Sequence, residues 1–147
     1  MRVVLIAAVI GIIFSGAIMA QDSMMSAPSK SDGSTMMMSA ARPNKVLFTD
    51  LEAAQMLAAE GPTVLFFAAD WCPTCQAAMK ELDSEAARLG DITVVVVNYD
   101  RASDLKRKYG ISYQHTYVQI DAEGNKIALW NGGGIDGVLK NVVRASR

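Results

Sequence analysis

The sequence predicts an α/β fold in which helices cover both faces of a mixed central sheet. Two apolar runs, Thr63–Ala68 and Thr93–Val97, are typical of strands buried on both sides. Helical patterns follow both runs, which indicates β-α-β units with parallel strands and right-handed crossovers. Two further segments flanking Ala122–Asn125 predict a hairpin, which adds antiparallel strands. The predicted order of elements is therefore β-α-β-α-β-α-β-β-α.

The first four elements are predicted from their end signals. A short strand at Val46–Phe48 precedes Asp50, a residue type that caps helices, and Gly61–Pro62 ends the helix that follows. The strand Thr63–Ala68 then leads into a second helix. The inward residues of the first helix are Leu51, Ala54, Leu57 and Ala58, and those of the second are Cys75, Met79, Leu82, Ala86 and Leu89, with Gly90 at its end.

The later elements follow the strand Thr93–Val97. A short helix carries three cations, Lys106–Lys108, in its last turn, where they suit the helix dipole. Three glycines precede the final helix. The predicted bounds are a helix from Ser103 or Asp104 to Gly110, strands at Thr116–Asp121 and Lys126–Trp130, and a last helix with Ile135, Val138, Leu139, Val142 and Val143 on one face.

Residues 1–20 are predicted to be a targeting segment and not part of the fold. Arg2 supplies a positive start, Val3–Ile18 is almost wholly apolar, and Ile18–Ala20 resembles a small-residue cleavage site. A retained N-terminal membrane anchor is the alternative to a cleaved signal peptide. In both cases the remaining chain is expected outside the cytoplasm, in the periplasm or another extracytoplasmic space.

Residues 21–44 form a Met- and Ser-rich segment that is expected to be a disordered linker. Five of the nine methionines lie here, at Met24, Met25 and Met36–Met38. Thioethers bind Cu(I), so a copper-collecting tail is one interpretation, and methionines tolerated in a flexible linker are the other. Residues 45–147 then suffice for one compact domain.

Charge and cysteine content exclude some classes of function. Without residues 1–20 the chain has 13 basic and 15 acidic residues, a net charge of −2, and it contains one histidine. No basic face is expected, which argues against nucleic-acid binding. The two cysteines, Cys72 and Cys75, would close too small a ring to act mainly as a structural staple.

The segment Trp71–Cys75 carries the predicted chemistry. Cys72 lies at a helix N-terminus, where free N–H groups and the dipole stabilise a thiolate, and it is expected to be the exposed nucleophile. Cys75, one turn deeper, is the expected resolving thiol. Pro73 suits the first helical position. The hydroxyl of Thr74 could donate to the Cys72 sulfur, and Trp71 is expected either to shield the dithiol or simply to pack.

The domain resembles a thioredoxin over essentially all of residues 45–147. The resemblance rests on Trp71–Cys75 at a strand–helix junction, followed by Val97–Asp100 and Leu105–Ile111. It implies a three-layer α/β/α fold and a thiol–disulfide oxidoreductase whose redox-active disulfide, Cys72–Cys75, is its only redox group. Protein thiols and disulfides are the implied substrates. The chain has no flavin or nicotinamide motif, so a membrane redox partner is expected to recycle it.

Two positions depart from the thioredoxin pattern. His115 occupies the usual cis-proline position before Thr116, and the bond preceding it is expected to be trans because cis costs about 3–4 kcal/mol without proline. Phe66 replaces the buried acid that accepts a proton from the second cysteine. Asp70, the nearest carboxylate in the sequence, is expected to face solvent. Resolution of mixed disulfides is therefore expected to be slow unless His115 substitutes.

Three interpretations of His115 stay open at this stage. It could be a polar loop residue without a role, an imidazole that tunes Cys72 or accepts a proton, or a metal ligand together with Cys72 and Cys75. The last interpretation corresponds to an alternative function, a periplasmic metallochaperone for copper. A redox-inert interaction module is a third class. The direction of electron flow is not predicted.

Overall fold

The computed structural model describes residues 42–144. The predicted targeting segment 1–20 and most of the linker 21–44 lie outside these residues. Within them the α/β fold with a mixed sheet is confirmed: five strands have the spatial order β1-β3-β2-β4-β5. The strands are β1 (Lys45–Leu47), β2 (Thr63–Ala68), β3 (Thr93–Asn98), β4 (Thr116–Ile120) and β5 (Lys126–Asn131).

Parallel and antiparallel pairs divide this sheet as predicted. β3 pairs in parallel with both β1 and β2, whereas β4 pairs antiparallel with β2 and β5. The register places Phe66 opposite Val96 on one side and Tyr117 on the other. The observed strands differ by one residue from the predicted bounds at β1, at the end of β3 and at both strands of the hairpin.

Four α-helices and one 3-10 helix cover the sheet within the described chain. They are α1 (Leu51–Glu60), α2 (Pro73–Ser84), the 3-10 helix (Ala86–Leu89), α3 (Ser103–Tyr109) and α4 (Gly134–Asn141). Asp50 caps α1 as predicted, since its Oδ1 accepts from the amide of Ala53 at 2.7 Å. None of the described helices is long and apolar enough to cross a membrane.

Two hydrophobic cores lie on opposite faces of the sheet because strand side chains alternate. On one face, Val64 and Phe66 of β2 pack with residues of α2 and α4. On the other, Leu65 and Phe67 pack with residues of α1 and α3. Both cysteines belong to the first core, so the dithiol is continuous with the packing under α2.

Two predicted helical faces are wrong in part. α2 ends at Ser84, not at Gly90, and the chain continues as the 3-10 helix, which still buries Leu89. In α4 only Ile135 and Val138 are buried, because the helix stops at Asn141 before the valines of the predicted face. The other predicted members, Leu139, Val142 and Val143, are exposed or half-buried.

The ordered domain begins before residue 45. Arg42 donates to the carbonyls of Asp91 at 2.8 Å and Leu57 at 2.6 Å. Asn44 donates to the carbonyls of Gly90 and Ile92, and its own carbonyl accepts from Val94. Residues 42–44, which the sequence analysis assigns to the linker, thus contact the start of β3 and the end of α1.

Candidate functional site

The dithiol lies where the chain leaves β2 and enters α2. The amide of Cys72 donates to the carbonyl of Ala69 at 3.1 Å, which turns the chain after the strand. Cys72 is the residue that caps α2, and Pro73 follows in the first turn, where proline is tolerated because its N–H is not needed. The sulfur of Cys72 accepts a hydrogen bond from the amide of Cys75 at 3.2 Å.

Cys72 is not the exposed residue that the sequence predicts. Only 2% of it is accessible, and it packs in the core with Ala68, Ala69 and Cys75. The turn back onto Ala69 draws the sulfur inward, and the hydroxyl of Thr74 lies 3.2 Å from it. The contact with Thr74 agrees with the sequence prediction.

The surroundings separate the pKa values of the two thiols. Burial of Cys72 acts to raise its pKa, but hydrogen bonds from the Cys75 and Thr74 side chains and from their backbone amides outweigh it and lower the pKa. Burial, aided by the hydrogen bond with Cys72, raises the pKa of Cys75 to about 11. A thiolate charge on this pair is therefore favoured on Cys72 over Cys75.

His115 faces this pair from the loop before β4. Its backbone is in the left-handed region with φ of 56°, the only non-glycine residue of the described chain with positive φ. Its amide donates to the carbonyl of Phe67 at 2.8 Å, and its carbonyl accepts from the amide of Gly132 at 2.9 Å. The described residues contain no cis peptide bond, so the expected trans bond before His115 agrees with the structure.

The imidazole completes a three-residue cluster. One ring nitrogen of His115 and the sulfurs of Cys72 and Cys75 lie within 4.8 Å of one another. Nε2 is buried without a hydrogen-bond partner among the described residues, an arrangement that costs about 1–3 kcal/mol in a protein interior. Burial lowers the pKa of His115, and the charge of Glu81 opposes this. These three residues are the ones at the site that could hold a metal ion.

An aromatic stack includes Phe66, the residue at the position where many thioredoxins have a buried acid. Phe66 is fully buried and stacks on Tyr117 with ring centroids 4.3 Å apart, and Tyr117 stacks in turn on Trp130 at 5.5 Å. Phe66 also meets His115 edge-on at 5.6 Å. The Tyr117 hydroxyl and Trp130 Nε1 are buried without partners in the described chain. Burial raises the pKa of Tyr117, which keeps its hydroxyl neutral.

The remaining predicted site residues flank the dithiol. Trp71 is 60% exposed, and its Nε1 donates to Asp100 at 3.1 Å, so its ring is not packed in a core. Thr116 donates to the carbonyl of Tyr113 at 2.7 Å and accepts from Asn131 at 2.9 Å. Thr116 therefore fixes the loop that carries His115. Asp70 is exposed, as expected.

A groove of about 380 Å³ lies beside Thr74 and His115. Its other walls are Tyr113, Gln114, Asn131, Gly132 and Gly133. Tyr113 is largely exposed, and so is Trp71, the residue just before Cys72. Exposed aromatic side chains in the chain segments next to a groove are suited to contact an extended polypeptide.

Sequence analysis missed Tyr117 and Glu81 as neighbours of the site. Tyr117 follows Thr116 in a strand that the sequence does predict, but its position opposite Phe66 depends on the register of β2 and β4. Glu81 accepts from the amide of Ile135 at 3.1 Å and so joins α2 to α4. Its signal in the sequence is only a polar position in a predicted amphipathic helix.

A mixed five-stranded sheet with a Cys-Pro-Thr-Cys pair at the start of α2 defines a class of dithiol proteins. The family model described as "Thioredoxin" matches residues 45–144. The chain therefore belongs to the thioredoxin family.

Comparison with individual proteins agrees with this assignment. The chain is 34% identical to Thioredoxin-T of Drosophila melanogaster over 92 residues, which are 62% of this chain and 58% of that protein. It is 37% identical to a thioredoxin of Rhodospirillum rubrum over 57 residues, 38% of this chain and 55% of that one. The matched regions thus span less than two thirds of these relatives.

A solved structure shows the same fold. The crystal structure of thioredoxin from Trypanosoma brucei brucei aligns with a TM-score of 0.56 and 21% identity, and the alignment covers 70% of this chain and 90% of that chain. At this identity the likeness concerns the fold alone.

Proposed function

We propose that this protein is an exported thiol–disulfide oxidoreductase that exchanges disulfides with protein substrates through Cys72 and Cys75. The observation that carries the proposal is the pair of donors directed at one sulfur: the amide of Cys75 and the hydroxyl of Thr74 both lie 3.2 Å from Cys72 Sγ. Membership of the thioredoxin family supports the same chemistry.

The first step is attack by the Cys72 thiolate on a substrate disulfide. A new bond forms between Cys72 Sγ and one substrate sulfur, and the other substrate sulfur leaves as a thiolate that takes a proton from solvent. The lowered pKa of Cys72 supplies the thiolate. Cys72 is almost fully buried, and the proposed approach of the substrate sulfur is from the side of Thr74 and the His115 loop, where the groove lies.

The second step is resolution by Cys75. Its thiol loses a proton and attacks Cys72 Sγ, which releases the second substrate thiolate and leaves a Cys72–Cys75 disulfide. Two electrons have then passed from the protein to the substrate. Since the pKa of Cys75 is raised to about 11, this deprotonation limits the step unless a base assists. With Phe66 in place of the acid, His115 is the titratable side chain beside both sulfurs that could accept the proton.

The proposed substrates are disulfides in extended or flexible polypeptide segments. The groove beside His115 has room for such a segment, and the exposed rings of Trp71 and Tyr113 offer apolar contact area. The backbone groups of Gly132 and Gly133 at its wall carry no side chain that would narrow it. These features favour disulfides in accessible, extended segments over disulfides buried in a folded core.

Export and recycling complete the proposal. The apolar run Val3–Ile18 followed by Ile18–Ala20 supports export, with Gln21 as the first residue of the mature chain. A membrane redox partner would return the dithiol or the disulfide to its starting state. Mass spectrometry of the protein recovered from the extracytoplasmic fraction is expected to find Gln21 at its N-terminus. A chain that begins at Met1 and sediments with membranes would support the anchored form instead.

A trapping experiment tests the chemistry. Cys75→Ser is expected to form a stable mixed disulfide with a disulfide-bonded peptide, visible as the added mass of one peptide, because the nucleophile remains and the resolving thiol is lost. Cys72→Ser is the matched control and should gain little or no peptide. Equal trapping in both variants, or in neither, would contradict the proposed roles.

Two measurements on the wild-type protein extend this test. Its single-turnover rate compared with that of His115→Ala shows whether the imidazole assists Cys75, and equal rates would exclude His115 as the helper. The reduction potential gives the direction of electron flow. A potential near −270 mV indicates a reductant, as for cytosolic thioredoxin, and one near −120 mV indicates an oxidant.

A further inference from the structure

We propose that the reduced protein also binds one Cu(I) ion in a three-coordinate site made by Cys72, Cys75 and His115. The proposal goes beyond disulfide exchange, because it assigns a second ligand to the same sulfurs and does not need them to be catalytic.

The donor atoms already lie close to the spacing that a metal ion requires. Both sulfurs and a ring nitrogen of His115 lie within 4.8 Å of one another. Metal–sulfur and metal–nitrogen bonds of about 2.0–2.3 Å in a trigonal plane would separate the ligands by about 3.5–4 Å. Each donor therefore needs to move inward by roughly an ångström or less, which small side-chain rotations supply.

The donor set selects the class of ion. Two thiolates and an imidazole are soft or borderline ligands, which favour Cu(I) and Zn(II) over hard cations. Within residues 42–144 the cluster contains no fourth histidine, cysteine or carboxylate. Structural zinc sites are nearly always tetrahedral with four ligands, whereas three soft ligands suffice for Cu(I). The site therefore fits Cu(I) better.

The loop of His115 holds the imidazole in place before any ion binds. The left-handed φ of 56° is unusual for a side-chain-bearing residue, and hydrogen bonds to Phe67 and Gly132 maintain it from both sides. The ring packs edge-on against Phe66 and Tyr117. Its Nε2 is buried without a partner in the described chain, so nearby protein groups do not compete for that nitrogen.

The site would exist only in the reduced protein. Binding of Cu(I) displaces the thiol protons that remain on Cys72 and Cys75, and copper keeps its oxidation state. When a substrate disulfide oxidises the dithiol, two electrons and two protons pass to that substrate, which becomes two thiols. Both sulfurs are then joined to each other as a neutral disulfide, and the ion loses its thiolate ligands. Bound Cu(I) should accordingly protect the dithiol from oxidation.

An anaerobic titration of the full, reduced chain with Cu(I) tests the proposal, in competition with a Cu(I) chelator. We expect one ion per chain, and X-ray absorption should show two sulfur and one nitrogen neighbours. The methionines of residues 21–44 are a second source of sulfur. The Cys72→Ser, Cys75→Ser double variant keeps all of them and should lose this ion.

His115→Asn is the decisive single variant. Asparagine tolerates a positive φ, so the loop can keep its backbone while the imidazole is removed. We expect the affinity for Cu(I) to fall at least about tenfold, the scale found when groups around a metal are removed. The chemical shift of the His115 ring should change on titration of wild type, which a merely structural histidine would not show.

Three results would overturn the proposal. Unchanged affinity in His115→Asn would limit the site to two sulfurs, and unchanged affinity in the double serine variant would place the ion on methionines. Tighter binding of Zn(II) than of Cu(I) at the same residues would contradict the assigned ion. The two proposals can fail separately. If Cys75→Ser traps no peptide while the wild-type protein still binds Cu(I), the proposed oxidoreductase is refuted and the copper site is not.

Discussion

The thiolate of Cys72 is stabilised by the side chain and amide of Cys75 and by the hydroxyl and amide of Thr74. The amide of Cys75 lies in the first turn of α2 and is present with any side chain at that position. The hydroxyl of Thr74 is present only because residue 74 is a threonine. Burial opposes both, since it disfavours the charged form. Removing the hydroxyl should therefore raise the pKa of Cys72.

Thr74→Val tests this contribution with little change in shape. A hydrogen bond worth about 1 kcal/mol corresponds to roughly a fivefold change in the ionisation constant. We expect thiolate absorbance to appear at higher pH in Thr74→Val than in the parent, measured in a Cys75→Ser background so that one thiol titrates. Thr74→Ser keeps the hydroxyl and should match the parent. Identical titrations for serine and valine would show that the hydroxyl does not act on the sulfur.

Local sequence rules account for part of the site at this scale. Pro73 and Thr74 are one and two residues after Cys72, so their places in the first helical turn and beside the sulfur could be predicted from local rules. Both predictions agree with the structure. The burial of Cys72 does not follow in that way, because it depends on the turn onto Ala69 and on the core below. The φ of His115 likewise depends on Phe67 and Gly132, which lie 48 and 17 residues away.

The dithiol lies at the start of α2, and the same helix also binds the N-terminus of α4. Glu81, two turns beyond the dithiol, accepts from the amide of Ile135 in the first turn of α4. A carboxylate at a helix N-terminus satisfies a free N–H and suits the dipole. Gly134 lies beside the Glu81 carboxylate and has a left-handed φ of 46°, a conformation that favours glycine.

Glu81→Ala should cost about 1 kcal/mol of unfolding free energy, the usual value of a lost cap. Denaturant unfolding of the oxidised protein measures it. Glu81→Gln retains an oxygen acceptor and should lose less. If Glu81→Ala and Glu81→Gln lose the same amount of stability relative to wild type, the hydrogen bond to Ile135 contributes nothing and the loss comes from the charge.

Element types were predictable from the sequence, and element ends were less so. The stripe from Cys75 to Leu89 keeps helical spacing through Ala86, yet the chain changes from α-helix to 3-10 helix after Ser84. Both conformations place Leu89 in the core, so the apolar spacing alone does not distinguish them. The presence of both parallel and antiparallel pairs followed from the β-α-β units and the hairpin, which are general rules of folds, whereas the spatial order of the strands is given by the structure.

For the molecule as a whole, the state of the dithiol links folding to pH. A thiol whose pKa is about 11 when folded and about 8.5 when unfolded loses its proton more readily from the unfolded chain. Alkaline solution therefore favours unfolding of the reduced protein. Cys72, with its lowered pKa, acts in the opposite sense: its stabilisation is present above the ordinary thiol pKa and is lost as pH falls through the lowered one.

The reduced protein should accordingly lose stability relative to the oxidised protein as pH rises from about 8.5 to about 11. Thermal unfolding of both forms over this window measures the difference. Burial, and for Tyr117 also the charges of the two cysteines, raises the pKa of Tyr109 and Tyr117, so the control is a variant that keeps both tyrosines. Reduced Cys75→Ser should lack the loss. A constant difference across the window would mean that Cys75 titrates normally.

The backbone at His115 also limits how this loop can change over evolutionary time. Proline holds φ near −65° and has no N–H, whereas this position uses φ of 56° and donates to Phe67. Proline at this position would thus require a φ of the opposite sign and would lose the hydrogen bond to Phe67. Its accommodation would require the segments that contact this loop to rearrange together, so asparagine and glycine are the replacements that the loop is expected to tolerate.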